Sequence, residues 1–171
     1  YNVAAVIHNG EIEGLVSKCT KTDNLHFFSS PLEKKFFQIG EKNIPFGSYL
    51  LFNTPALNFA IEVGDSMTRP YSMASLHCMA GADVIFNPTS YRELVGNHEY
   101  MKAMLMSESA RNRCGYVSAS CGYGESTTDV VYSGGCFIYE NGQLLAEGER
   151  FSMKSQLVIS DIDIEHIRHE R

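Results

Sequence analysis

Apolar and polar positions alternate at both ends of this chain around the same turn signal. Residues 3–7 (VAAVI) and 11–17 (EIEGLVS) flank Asn9-Gly10, and CFIY and QLLAE flank Asn141-Gly142. Asn-Gly supplies the positive φ angles that a two-residue hairpin turn needs, so both segments predict β-hairpins. Between them, residues 50–54 (LLFNT) and 58–63 (NFAIEV) read as strands, the second apolar enough to be covered on both faces. Residues 82–88 (ADVIFNP) and 115–121 (GYVSASC) read as further strands, and 156–164 (QLVISDIDI) as a last one, with Asp161, Asp163 and Glu165 on its outer face. Residues 70–80 carry Met73, Leu76, Cys78 and Met79 at mostly helical spacing, with Pro70 suited to a first turn. Residues 98–114 place Met101, Met104, Leu105 and Ala110 on one helical face. Residues 19–47 show little periodicity and read as a long loop with a short helix. The closing IEHIRHER reads as the opening turns of a helix. Strands alternating with helices, joined to antiparallel hairpins, indicate an α/β layered sandwich.

A length of 171 residues suits one domain with a real core. The net charge of −6, with basic residues scattered, argues against a nucleic-acid surface. No apolar run approaches the ~20 residues of a membrane-spanning helix, and YNVAAVIHNG has no signal-peptide pattern. The five cysteines (Cys19, Cys78, Cys114, Cys121, Cys136) include no CxxC pair, so they fit neither a disulfide framework nor a zinc site and read as free thiols of a reducing cytosol. The six histidines lack metal-site spacing; His166 and His169, three apart, read as a solvated helix face. Met101, Met104 and Met106 read as packing surface.

The densest polar stretch is GYGESTTDVVYSGG at 122–135, where glycines flank Glu125, Ser126, Thr127, Thr128 and Asp129. Gly-rich turns can cradle anions, but no GxxxxGK[ST] or GxGxxG pattern accompanies this one. On residues alone it is a functional loop or a polar turn.

GYGESTTD, SESAR at 107–111, ENGQLLAEGERF, DIDIEHIRHER, IPFG at 44–47, FAIEV, AGADVIFNPTS and the opening YNVAAVIHNGEIEGLVSK together resemble the glutaminase domain of glutamine-dependent NAD synthetases. The resemblance covers essentially the whole chain. It implies a nitrilase-like αββα sandwich, here partial and lacking its N-terminal part, with residues 1–171 a single carbon–nitrogen hydrolase-like domain within a longer chain. It also implies glutamine as substrate, ammonia passed to a separate synthetase domain, ATP and Mg used only in that domain, homo-oligomers and a cytoplasmic setting. No metal or cofactor is expected in this domain.

The family's Glu–Lys–Cys triad maps incompletely. Its lysine falls on Lys18, where a cation would stabilise an oxyanion and a thiolate. Its cysteine falls on Gly64, within Glu62-Val63-Gly64-Asp65-Ser66, and Asp65 stands where a substrate-binding glutamate is expected. A glycine cannot form a thioester. Ser66, Cys78 and Cys121 are poor replacements, because nucleophilic catalysis depends on near-attack placement. The family's small hydroxyl and its Gly-cation pair become Tyr91 and Gly96-Asn97. The general-base glutamate is expected upstream of residue 1, and neither Glu11, Glu13 nor Glu62 takes its place. The sequence thus predicts a glutaminase-type domain without its nucleophile, or a degenerate scaffold module associated with a synthetase.

Overall fold

A computed structural model describes residues 1–19 and 35–171. The first Asn-Gly hairpin pairs β1 (Val3–His8) with β2 (Glu11–Ser17), and the second pairs β9 (Cys136–Glu140) with β10 (Gln143–Glu147). Both turns have the left-handed backbone that the dipeptide suits, with φ 51° and 79° at Asn9-Gly10 and 45° and 84° at Asn141-Gly142. A third hairpin, β3 (Lys35–Ile39) and β4 (Lys42–Gly47), replaces the loop expected across 19–47. Its two-residue turn is Gly40-Glu41, with φ 62° at Gly40. The strands' mixed polarity hid it, since all five residues of β3 are exposed and show no alternation. The remainder of that expected loop, 20–34, lies outside the described residues.

Two sheets result. One has the order β1-β2-β4-β3, with β2 and β4 parallel. The other has β5 (Leu51–Asn53), β6 (Asn58–Ile61), β7 (Val84–Thr89) and β8 (Gly115–Ser120) and runs β10-β9-β8-β7-β6-β5, with β6, β7 and β8 parallel. The sheets meet where Gly14 lies against Phe52 and Leu50: a Cβ there would sit 2.9 Å from the Phe52 ring.

Among the described residues there are three α-helices, two of which cover one face of the six-stranded sheet. Helix α1 (Met73–Met79) begins at Ser72, whose hydroxyl accepts from Ser75 N, so Pro70 precedes the cap rather than occupying the first turn. Helix α2 (Asn97–Asn112) buries Met101, Leu105, Glu108 and Ser109. Ala110 is exposed to solvent, contrary to the expected stripe. Ala60, Ile85, Tyr116, Phe137 and Tyr139 meet Ala74, Cys78, Met101 and Leu105 in the main core.

The strand expected at 156–164 is absent. Gln156 instead ties the segment down by its side chain, accepting from Glu149 N and donating to Glu149 O, both at 2.8 Å. Asp163, expected on a strand face, caps α3 (Ile164–Glu170) by accepting from His166 N. Ile162 packs on Gly115, opposite core residue Tyr116, and Arg168 reaches Asp83, just before β7.

Asp83 is almost wholly buried and accepts from Asn58 N at 2.9 Å and Arg168 Nη2 at 2.7 Å. Burial pushes its carboxyl upward, but the hydrogen bonds and charge of Arg168 and the Asn58 amide outweigh that and hold it below the ordinary range. Asp83→Ala strands both donors and is expected to cost about 2–4 kcal/mol. Urea denaturation checks this: the midpoint falls while the slope is unchanged.

Candidate active site

Strand β6 leads into a turn held by several hydrogen bonds. The parallel ladder continues past Ile61 through Glu62 N to Phe86 O and Gly64 N to Pro88 O, both 2.9 Å. Asn87, buried at the end of β7, donates its side-chain amide to Glu62 O at 2.6 Å and Gly64 O at 2.9 Å, and is itself held by Ser118 at 3.1 Å. The Tyr91 hydroxyl also donates to Gly64 O, at 3.3 Å. The backbone then reverses at Gly64, φ +86°, a conformation that side chains with a Cβ rarely adopt. A 3-10 turn, Ser66–Thr68, connects it to α1. The result is a strand, a sharp turn and a helix, the geometry that displays a nucleophile at its apex.

Lys18 reaches this apex from the end of β2. Its backbone is fixed by Lys18 N to Asn2 O, 2.9 Å, and its Nζ lies 3.0 Å from Asp65 Oδ1. A Cβ built on Gly64 would lie 2.9 Å from Lys18 Cε and 3.1 Å from Nζ. The lysine therefore lies against the place where a nucleophilic side chain would begin. Burial raises the Asp65 carboxyl, but the hydrogen bond and charge of Lys18 outweigh it and leave it below the ordinary carboxylate range. Arg69 approaches the other oxygen at 3.9 Å.

Beneath the turn lies a group that sequence reasoning left without a role. Glu62 is buried, accepting from Tyr116 OH at 2.7 Å on one oxygen and from the Ser66 hydroxyl on the other. Burial pushes its carboxyl up to about 7, against the Tyr116 hydrogen bond, with the Glu108 charge adding to the rise. A single sequence could not signal this, since period-two alternation places Glu62 on the face of buried Ala60 only once the register is known.

Lys18, Gly64, Asp65, Tyr91 and Asn97 come together with Thr68, Thr89, Ser90, Arg92, Tyr100, Val130 and Tyr132 around an open cleft of about 470 Å³. Glu125, Ser126, Thr127, Thr128 and Asp129 lie outside its lining. They form a self-bonded loop: Thr127 Oγ1 accepts from Asp129 N and Val130 N, and Ser126 Oγ accepts from Tyr132 N. That loop delivers Val130 and Tyr132 to the cleft.

The alternative nucleophiles are poorly placed. Ser66 is turned inward, donating to Glu62 and accepting from Met73 N at 3.3 Å. Cys78 is in the core beside Cys114, and Cys121 contacts Thr89 O at 3.7 Å. The thiol nearest the turn is Cys19, hydrogen-bonded with Ser66. Burial and the Glu62 charge push its pKa up, away from the thiolate. Glu11 pairs with Lys42 on the surface. Among the described residues, no group of three His, Cys, Asp or Glu could hold a metal ion, and no helix is long and apolar enough to cross a membrane.

No protein-family model matches the chain. Over its whole length it is 34% identical to a stretch of the glutamine-dependent NAD(+) synthetase of Mycobacterium bovis, and it spans only 26% of that protein. A glutamine-dependent NAD(+) synthetase from Cytophaga hutchinsonii superposes with a TM-score of 0.80 at 23% identity, covering 93% of this chain and 27% of that one. An amidase of the nitrilase superfamily from Nesterenkonia superposes with a TM-score of 0.67 at 15% identity, covering 95% and 54%. In that amidase structure an acetamide moiety is covalently attached to the active site cysteine.

Glu62 gives a pH dependence of defined sign. Its folded value of about 7 exceeds the ~4.3 of an unfolded glutamate, so its contribution is fully present below the unfolded value and is lost as pH rises through the folded one. The difference corresponds to about 4 kcal/mol. Urea denaturation across this window is expected to show stability falling as pH rises, and Glu62→Gln to flatten the dependence. An unchanged slope in the variant contradicts the assignment.

Proposed function

For a chain that is homologous to part of the glutamine-dependent NAD(+) synthetases and carries the nitrilase, carbon–nitrogen hydrolase fold, we propose the role of that family's glutamine amidohydrolase domain, in a form that makes no acyl-enzyme. The ancestral step is attack of a thiolate on the amide carbon, loss of ammonia and hydrolysis of the thioester by water. The observation that carries the reading is the apex of the turn. Gly64 provides no sulfur, and the Lys18 ammonium lies 3.1 Å from where a Cβ would be. What remains can still stabilise negative charge and position a ligand, since Lys18, Asp65, Tyr91 and the turn's clasp by Asn87 are all in place. Lacking a nucleophile, that arrangement binds without cleaving.

In this reading a synthetase domain, in the same chain or another, is the partner, and ATP and Mg belong to that domain alone. The setting is cytoplasmic and the assembly a homo-oligomer. A second reading, a degenerate module that scaffolds or regulates the synthetase, is favoured by the 125–129 loop. It is internally braced and faces solvent instead of the cleft, as a partner-contacting loop would.

A coupled assay for ammonia and glutamate release from glutamine by the full-length protein is expected to stay at the buffer rate. Turnover above buffer that disappears in Lys18→Met would overturn the proposal.

A further inference from the structure

We propose that the cleft over Gly64 selects a carboxylate over the corresponding amide, so that it reversibly binds an acid such as glutamate in preference to glutamine. The inference rests on the reading of this cleft as the amide-substrate site.

Hydrogen-bond polarity at the apex favours the acid. The backbone carbonyls fixed there are already engaged. Gly64 O receives Asn87 Nδ2 at 2.9 Å and Tyr91 OH at 3.3 Å, which uses both of its lone pairs. Asp65 Oδ1 receives Lys18 Nζ at 3.0 Å, and Asp65 O receives Thr68 Oγ1 at 2.8 Å. A bound primary amide would bring two N–H donors to an apex whose backbone carbonyls are occupied. The Lys18 ammonium presents further N–H groups there, three donors and no acceptor. A carboxylate brings only acceptors, and its bonds to an ammonium are charge-assisted.

Charge points the same way. Among the described residues, the charged ones lining the cleft are Lys18, Arg92 and Asp65, two cations against one anion, in a chain whose net charge is −6. Arg69 adds a third cation on the far side of Asp65, at 3.9 Å. Among the described residues, the neighbouring carboxylates are engaged elsewhere. Glu93 is paired with Arg150 at 3.2 Å, and Glu62 lies under the turn, facing Tyr116 and Ser66. Among the described residues no carboxylate is within ion-pair distance of Arg92, which stands exposed at the rim. A positive cleft in an acidic molecule concentrates small anions.

Glutamate and glutamine have the same size and differ only in the terminal group, so they isolate the effect. Calorimetric titration of the full-length protein with each, at low ionic strength and neutral pH, is expected to give glutamate at least about tenfold tighter binding. Lys18→Met is expected to remove that preference. Arg92→Ala, at an exposed position, is expected to weaken glutamate while leaving the fold intact. Equal or tighter binding of glutamine, binding of neither, or an unchanged preference in Lys18→Met would overturn the proposal. Failure of the functional reading is separately visible, as ammonia appearing during the glutamine titration.

Discussion

The Asn87 side-chain amide holds the turn on which the rest of the site depends. By bonding Glu62 O and Gly64 O together it closes the backbone just where the β6–β7 ladder ends, and Ser118 fixes the amide in turn. A left-handed residue at a strand end would otherwise be a loose corner. Here the corner is bonded from below by Asn87, across the sheet by Pro88 O, and from the cleft by Tyr91. This clasp sets where Asp65 projects, and hence where Lys18 comes to rest.

From that constraint the electrostatics follow. Lys18 and Asp65 meet above the turn, while Glu62 is confined beneath it with hydroxyl partners and no cation within ion-pair distance among the described residues. The two carboxylates therefore move in opposite directions: Asp65 is held in the charged form by a cation, and Glu62 is driven towards the neutral form by burial. A strand, a sharp turn and a helix of the kind that can display a nucleophile are in place, with a glycine at the apex.

Much of this was legible in the residues. The two Asn-Gly hairpins, the β6 and β7 strands and both main helices follow from local pattern, and the family resemblance located Lys18, Gly64 and Asp65 at one site before any geometry was known. The errors have physical causes. The β3–β4 hairpin hides in an exposed, non-alternating edge, and the alternating DIDI of 161–164 imitates a strand but is a cap and a helix start. What could not be read was long-range. Glu62 and Tyr116 are 54 residues apart, and Asn87 and Gly64 are 23 apart. The 125–129 loop was legible as a motif, but its standing outside the cleft is a property of the fold.

The central claim is that, among the described residues lining the cleft, no thiol stands where it could take up a glutamine-like substrate covalently. Treating the full-length protein with a glutamine-derived chloroketone and mapping the peptides by mass spectrometry tests this directly. The account predicts that the peptide spanning residues 62–68 and the other cleft-lining residues remain unmodified. A stoichiometric adduct on any side chain lining the cleft, prevented by excess glutamine, would contradict it.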